Sequence, residues 1–231
     1  MESRKLHPSL DISTLPARMR DLPIDPDSHF IVPWFVAWLD GKPEFRAMDG
    51  VKWIRAVREH LCWVCGGRLG VWQTFVLGPM CGINRTTVEP PCHLACARWS
   101  ARNCPFLSRP HMVRREDGLP DNIEIAGIAI SRNPGVTLLW TTRTFDVFDD
   151  GNGKGLISVG DPERVEWWAE GRPATREEVE HSVETGIPIL QGLAEQDERA
   201  AMDDLDNRRA WIKTLYPPPV AAAEDIRAEA P

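Results

Sequence analysis

The residues whose types and spacing could do chemistry are cysteines and one histidine. "LCWVCGG" carries Cys62 and Cys65 as a C-x-x-C backed by Gly66 and Gly67, and "EPPCHLACARW" carries Cys92, His93 and Cys96. Zinc takes four soft or borderline ligands in a tetrahedron, and a site closed by four protein ligands is structural. Glycine after a C-x-x-C lets the chain turn tightly, with backbone amides facing the thiolates. Pro90 and Pro91 predict an extended approach to a helix whose first turn presents His93 and Cys96 to one side, three positions apart. Cys62, Cys65, His93 and Cys96 are therefore the expected ligands of a structural zinc ion. Cys92 with Cys96 would also share a helix face, and Cys81 and Cys104 are spare candidates. The bland alternative is a set of buried, inert thiols. Six cysteines within 43 positions weaken it.

Other chemistries fit these residues less well. A redox C-x-x-C sits at a helix N-terminus, which lowers the thiol pKa, whereas two glycines straight after the pair discourage a helix. Neither cysteine group is the C-x-x-C-H of haem attachment. A metal-dependent hydrolase acting on phosphodiesters needs a general base within reach of the nucleophile. Residues 66–91 hold no histidine and no aspartate, and Glu89 is their one acid. His60 and His111 lie outside that stretch, so the hydrolase is the alternative function, to be carried by His60, Glu89 or His111. Neither a G-x-S-x-G nucleophile elbow nor a G-x-x-x-x-G-K-[ST] phosphate loop is present.

Charge points to a partner. Residues 51–115 carry ten Lys/Arg against two Asp/Glu, while residues 116–231 carry eleven against twenty-four, in a chain of net charge −7. A basic block in an acidic chain implies a charged partner, or two halves that neutralise each other. Arg98 and Arg102 at i, i+4, then Arg109, Arg114 and Arg115, form the candidate nucleic-acid face, with His111 beside them and Trp99 and Phe106 interleaved for stacking. The expected function is a non-enzymatic, zinc-stabilised binding module whose partner is nucleic acid or a host protein. The longest apolar run, "FIVPWFVAWL", has ten residues and contains Pro33, too short to cross a bilayer. The first twenty residues have no apolar signal core, so a reducing cytoplasm is the expected setting.

The elements that must position these residues read as an α+β fold. Residues 1–28 are polar and broken by prolines, a flexible arm. Two apolar runs around Asp40-Gly41 predict a hairpin, with Pro33 at an edge or bulge. Asp49 should cap a helix whose inward residues are Ile54, Val57 and Leu61. A hairpin near 68–88 would then complete a treble-clef-like zinc module closing at about residue 115. "NIEIAGIAI", "VTLLWTT", "TFDVF", "GLISV" and "RVEWWA" predict a small antiparallel sheet, with "DDGNGKG" as a hairpin loop. Thr175 and Glu178 form a capping box for a helix expected to end at Gly186 and Pro188. A last helix over about 193–216 with apolar Leu205, Ile212 and Leu215 is followed by a disordered tail, 217–231.

The string "PWFVAWLDGKPEFR", "CWVCGGRLG", "FVLGPMCGINRTTVEPPCHLACA", "CPFLSRP" and "GDPERVEWWAEGRPATREEV" resembles a family of bacteriophage and bacterial proteins, over about residues 31–193. The resemblance implies that Cys62, Cys65, Cys81, His93, Cys96 and Cys104 belong to the shared pattern and that Cys92 is an extra, which favours His93 as a ligand. It also implies an accessory or host-interaction role.

Overall fold

The structure, a computed structural model, describes residues 5–109, 135–151, 153, 155–195 and 199–219. Residues 5–28 of the expected arm are not free. From residue 5 they make two short 3-10 turns, Ile12–Thr14 and Ala17–Met19, and bury Leu10, Met19 and Leu22. The Asp11 amide donates to Asn103 Oδ1 at 2.7 Å, which ties this segment to a helix ninety residues away. Three apolar side chains spaced among prolines outweigh the polar composition, because they find an apolar surface to cover.

β1 (Val36–Leu39) and β2 (Lys42–Met48) form the expected hairpin, with a bulge between Val36 and Ala37. Asp40 and Gly41 both have positive φ, 48° and 79°, as a tight two-residue hairpin turn requires. Pro33 lies ahead of β1. α1 (Gly50–Glu59) starts at Asp49, whose carboxylate accepts from the Val51 and Lys52 amides. Its inward face differs from the expected one: Ile54 is 50% exposed, while Ala56 is buried and Trp53 and Val57 pack on the core. The Trp53 ring fixes the helix rotation, since its Nε1 donates to the Val88 carbonyl at 2.6 Å and its edge lies against Gly155.

The hairpin expected over 68–88 does not form. β3 (Gln73–Leu77) runs into α2 (Pro79–Asn84) and then β4 (Thr86–Thr87), and the two strands join different sheets. After α3 (Leu94–Asn103) and α4 (Pro105–Ser108), the chain continues as β5 (Thr137–Thr142), β6 (Phe145–Asp149), β7 (Gly155–Val159), β8 (Arg164–Ala169) and β9 (Arg172–Pro173). One antiparallel sheet has the order β3-β5-β8-β9, the other β4-β7-β6. Every residue of β5 is buried, so it needs a neighbour on both edges, and β3 supplies the second one. In place of the expected hairpin, Thr74 of β3 makes an isolated antiparallel bridge to Cys92, outside residues 68–88. Between β6 and β7 the "DDGNGKG" turn forms as expected, with Asp149 Oδ1 accepting from the Gly151 and Gly153 amides. The expected strand "NIEIAGIAI", residues 122–130, and residues 220–231 of the tail lie outside the described residues.

α5 (Arg176–Ala194) opens with the expected capping box: the Glu178 amide donates to Thr175 Oγ1, and the Thr175 amide to Glu178 Oε2. It does not stop at Gly186. That glycine faces α2, where a Cβ would come within 2.9 Å of the Met80 side chain, so it permits close helix packing and ends nothing. Pro188 sits inside the helix and is solvent-exposed. Its missing N–H leaves the Glu184 carbonyl without a helical donor. Pro188→Ala should therefore stabilise the protein by about 2 kcal/mol, the difference between an interior proline's cost and its benefit to the unfolded state. That is a rise of about 4–8 °C in Tm by calorimetry for a domain of this size.

α6 (Arg199–Ile212) and a 3-10 turn, Lys213–Leu215, finish the described chain, with Leu205 and Ile212 buried as expected. Two cores result. One gathers Phe75, Trp140, Ile157, Val179 and Ile212, the other Met19, Trp63, Cys96, Trp99 and Trp168. β5 is the shared wall: Leu138 and Trp140 enter the first core and Leu139 the second. No helix among the described residues is long and apolar enough to cross a membrane.

Candidate metal centre

Cys62 and Cys65 stand on a tight turn closed by main-chain bonds. The Cys62 amide donates to the Gly67 carbonyl at 2.7 Å and the Gly66 amide to the Cys62 carbonyl at 2.8 Å, while Leu61 and Arg68 bridge the base. Gly66 has φ +70°, and a Cβ there would lie 2.8 Å from the Trp34 ring, so glycine is required on two counts. Cys62 Sγ accepts from the Cys65 and His93 amides, each at 3.4 Å. Those N–H groups supply the positive end of the peptide dipole to a thiolate.

The other pair arrives as the spacing demands. Pro90 and Pro91 are buried, and the Pro91 carbonyl accepts from the Trp63 amide at 3.0 Å, pulling the second segment onto the turn. His93 is the extended residue that caps α3, and Cys96 is on the helix's first turn. One donor atom from each of Cys62, Cys65, His93 and Cys96 lies within 4.8 Å of the other three. His93 Nδ1 is 3.5 Å from Cys65 Sγ and 4.0 Å from Cys96 Sγ. Tetrahedral bonds of about 2.0–2.3 Å give edges of about 3.3–3.8 Å. The other ring nitrogen, Nε2, stands 3.0 Å from the Arg68 carbonyl, to which it can only donate. That bond leaves Nδ1 with its lone pair free and aimed at the sulfurs, the tautomer a metal ligand needs.

The electrostatics call for a cation. Cys62 and Cys96 are fully buried, and negative charge taken out of water needs positive charge beside it. Hydrogen bonds from Cys62 and then Cys96 push the Cys65 thiol far down, while Cys62 and Cys65 together push Cys96 far up. The same two sulfurs hold the His93 imidazole proton up to about 10. A divalent ion held by these four residues would take the place of that proton and balance the charge of the sulfurs. The residues can therefore hold a metal ion.

No family model, curated protein or solved structure matches the chain. What it can do rests on its own geometry.

The spare cysteines stand apart from the cluster. The Cys92 thiol donates to the Thr74 carbonyl at 3.2 Å, and burial pushes its pKa well up. Burial likewise raises the Cys81 thiol, on α2, to about 11. Cys104 joins the end of α3 to the start of α4. Sequence reasoning missed the Arg68 carbonyl that orients His93, because a main-chain acceptor leaves no mark on residue type.

The expected arginine face is partly spent within the chain. Arg98 holds Glu166 of β8 through both carboxylate oxygens, one contact at 2.9 Å. Arg102 reaches Asp11 at 3.5 Å and lies over the Trp168 ring. Trp99 is 7% exposed and donates to the Asp11 carbonyl, so it offers no face for stacking. Arg109 is exposed, and His111, Arg114 and Arg115 lie outside the described residues. His60 is exposed and Glu89 half-buried, and neither belongs to a metal-type cluster among the described residues.

Proposed function

We propose that this chain is a non-enzymatic binding module for nucleic acid, its fold pinned by one structural zinc ion. The observation that carries the reading is the donor set: three cysteines and one histidine bring four donor atoms, all from protein, within 4.8 Å of one another, as many as a closed zinc site takes. Catalytic zinc keeps a corner open for water or substrate, and thiolate-rich sites favour zinc over harder cations. The clamp reads as treble-clef-like: a glycine-backed turn gives two ligands and the start of a helix the other two. Its middle hairpin has been opened by α2 and β4. Basic charge concentrated in residues 51–115 of a chain that is acidic elsewhere supports a polyanionic partner. The resemblance to phage and bacterial proteins supports a cytoplasmic setting, where these thiols stay reduced.

The test is purification at low salt, with metal and nucleic acid assayed before and after a step to high salt. The expected result is about one zinc per chain at both salts, and nucleic acid that leaves as salt rises through counterion release. Protein free of nucleic acid at low salt would turn the reading towards a host protein as partner. Metal-dependent turnover of a phosphodiester, lost on His60→Ala or Glu89→Gln, would replace it with the hydrolase.

A further inference from the structure

We infer that the loop leaving the metal turn, with Trp72 stacked on Arg143 and the exposed Arg68 four residues before it, is a binding surface for single-stranded nucleic acid. The inference rests on the nucleic-acid reading above and places the contact on residues other than the arginines expected from the sequence. Val71 and Trp72 are 66% and 46% exposed, two large apolar side chains in succession in a loop open to solvent. Such a pair is unfavourable in water unless something covers it. The loop is not slack. It is anchored on one side by the Leu61–Arg68 bridge and the Leu69 amide's bond to the His60 carbonyl, and on the other by β3.

The indole is also held in place. The Arg143 guanidinium lies 4.3 Å from the Trp72 ring centroid, the closest cation–ring contact among the described residues. Arg143 is itself fixed, by Glu163 at 3.3 Å and by a bond from Gln73 Nε2 to its carbonyl. A guanidinium layered on an indole, half open to solvent, is a stacking platform with a positive charge at its edge. Arg68, exposed four residues earlier, makes no ion pair among the described residues. From His60 to Val88 the chain contains no aspartate or glutamate. Two arginines with an exposed aromatic, one arginine paired with Glu163 and the other on an acid-free stretch of chain, suit a phosphate backbone with bases turned outward. A stacked duplex offers no free base face to an indole, so the occupant is a single strand.

The experiment uses the full zinc-loaded chain and the fluorescence anisotropy of a labelled oligothymidylate, with unlabelled duplex as competitor. Trp72→Ala should weaken binding about tenfold or more, a single stacked base's worth, and Trp72→Phe should recover most of it. Arg68→Ala should flatten the slope of log affinity against log salt by about 0.7. Lys213→Ala, on the C-terminal turn, should change neither. Zinc content and circular dichroism confirm that each variant is folded. An oligonucleotide that binds wild type and Trp72→Ala alike, loses affinity on Arg109→Ala instead, or is displaced more readily by duplex than by single strand overturns this inference while leaving the module reading intact. Folded wild type that binds no oligonucleotide at low salt overturns both.

Discussion

Cys96→Ser should yield a chain that neither holds zinc nor folds. Its sulfur is one of four donors in a site that does not exist in the unfolded chain, so metal affinity is folding free energy. For a thiolate-rich site that term is about 10–16 kcal/mol, against a net stability of about 5–15 kcal/mol for a typical domain. The residue is also fully buried among Trp63, Trp99 and Leu139, where an unligated serine hydroxyl would add an unpaired polar group. The expected observations are zinc near zero by atomic emission, loss of the folded circular dichroism spectrum and protein in the insoluble fraction. Cys104→Ser, outside the donor cluster, should keep both metal and fold. A soluble, fully folded Cys62→Ser/Cys96→Ser double variant would remove the metal from the account of stability.

The second large effect is expected far from the metal. Trp140→Ala empties the middle of β5. The ring is completely buried, donates from Nε1 to the Gly160 carbonyl at 2.9 Å, and packs against Trp211 and the Arg85 guanidinium. Truncating a buried tryptophan to alanine costs about 3–5 kcal/mol through lost contacts and the cavity left behind. The orphaned Gly160 carbonyl adds about 1 kcal/mol or more. We expect a loss of about 5 kcal/mol in urea unfolding at fixed free zinc, with the denaturant slope unchanged. A loss below 2 kcal/mol would mean that the two cores close over the gap. Trp72→Ala, at an exposed site, should cost no more than about 0.5 kcal/mol. The tryptophans thus range from rings that hold the fold, such as Trp140, to rings open to solvent, Trp38 and Trp72.

The Cys62, Cys65, His93 and Cys96 cluster was legible because metal coordination would impose residue type and spacing together. A C-x-x-C backed by two glycines and a His-x-x-Cys behind two prolines have few other structural uses. Capping was legible for a similar reason: Asp49 and the Thr175–Glu178 pair satisfy amides within three residues of themselves. What escaped depended on distant partners. Nothing local to residues 73–77 says that their neighbour is β5, some sixty positions on. Ile54 carried the right spacing for an inward position, but Gly155, far along the chain, made room for the Trp53 ring instead. Gly186 and Pro188 are the residue types that end helices, and their context overrode them: the glycine receives Met80, and the proline faces water. Arg98 looked free in a sequence that could not reveal Glu166 beside it.

The pairing of β3 with β5 has a consequence for synthesis. Phe75 and Leu77 cannot find their neighbours until Thr137–Thr142 has left the ribosome. At about 5–20 residues per second that is a wait of roughly 3–13 s, with apolar side chains open to other nascent chains. All four metal donors are out by Cys96, well before β5. A cation captured at that point would fasten the N-terminal half while its sheet partner is still being made, so a bound ion would guard the chain before it supported the finished fold. Cells starved of zinc should therefore accumulate this protein as aggregates formed during translation, while protein already matured persists.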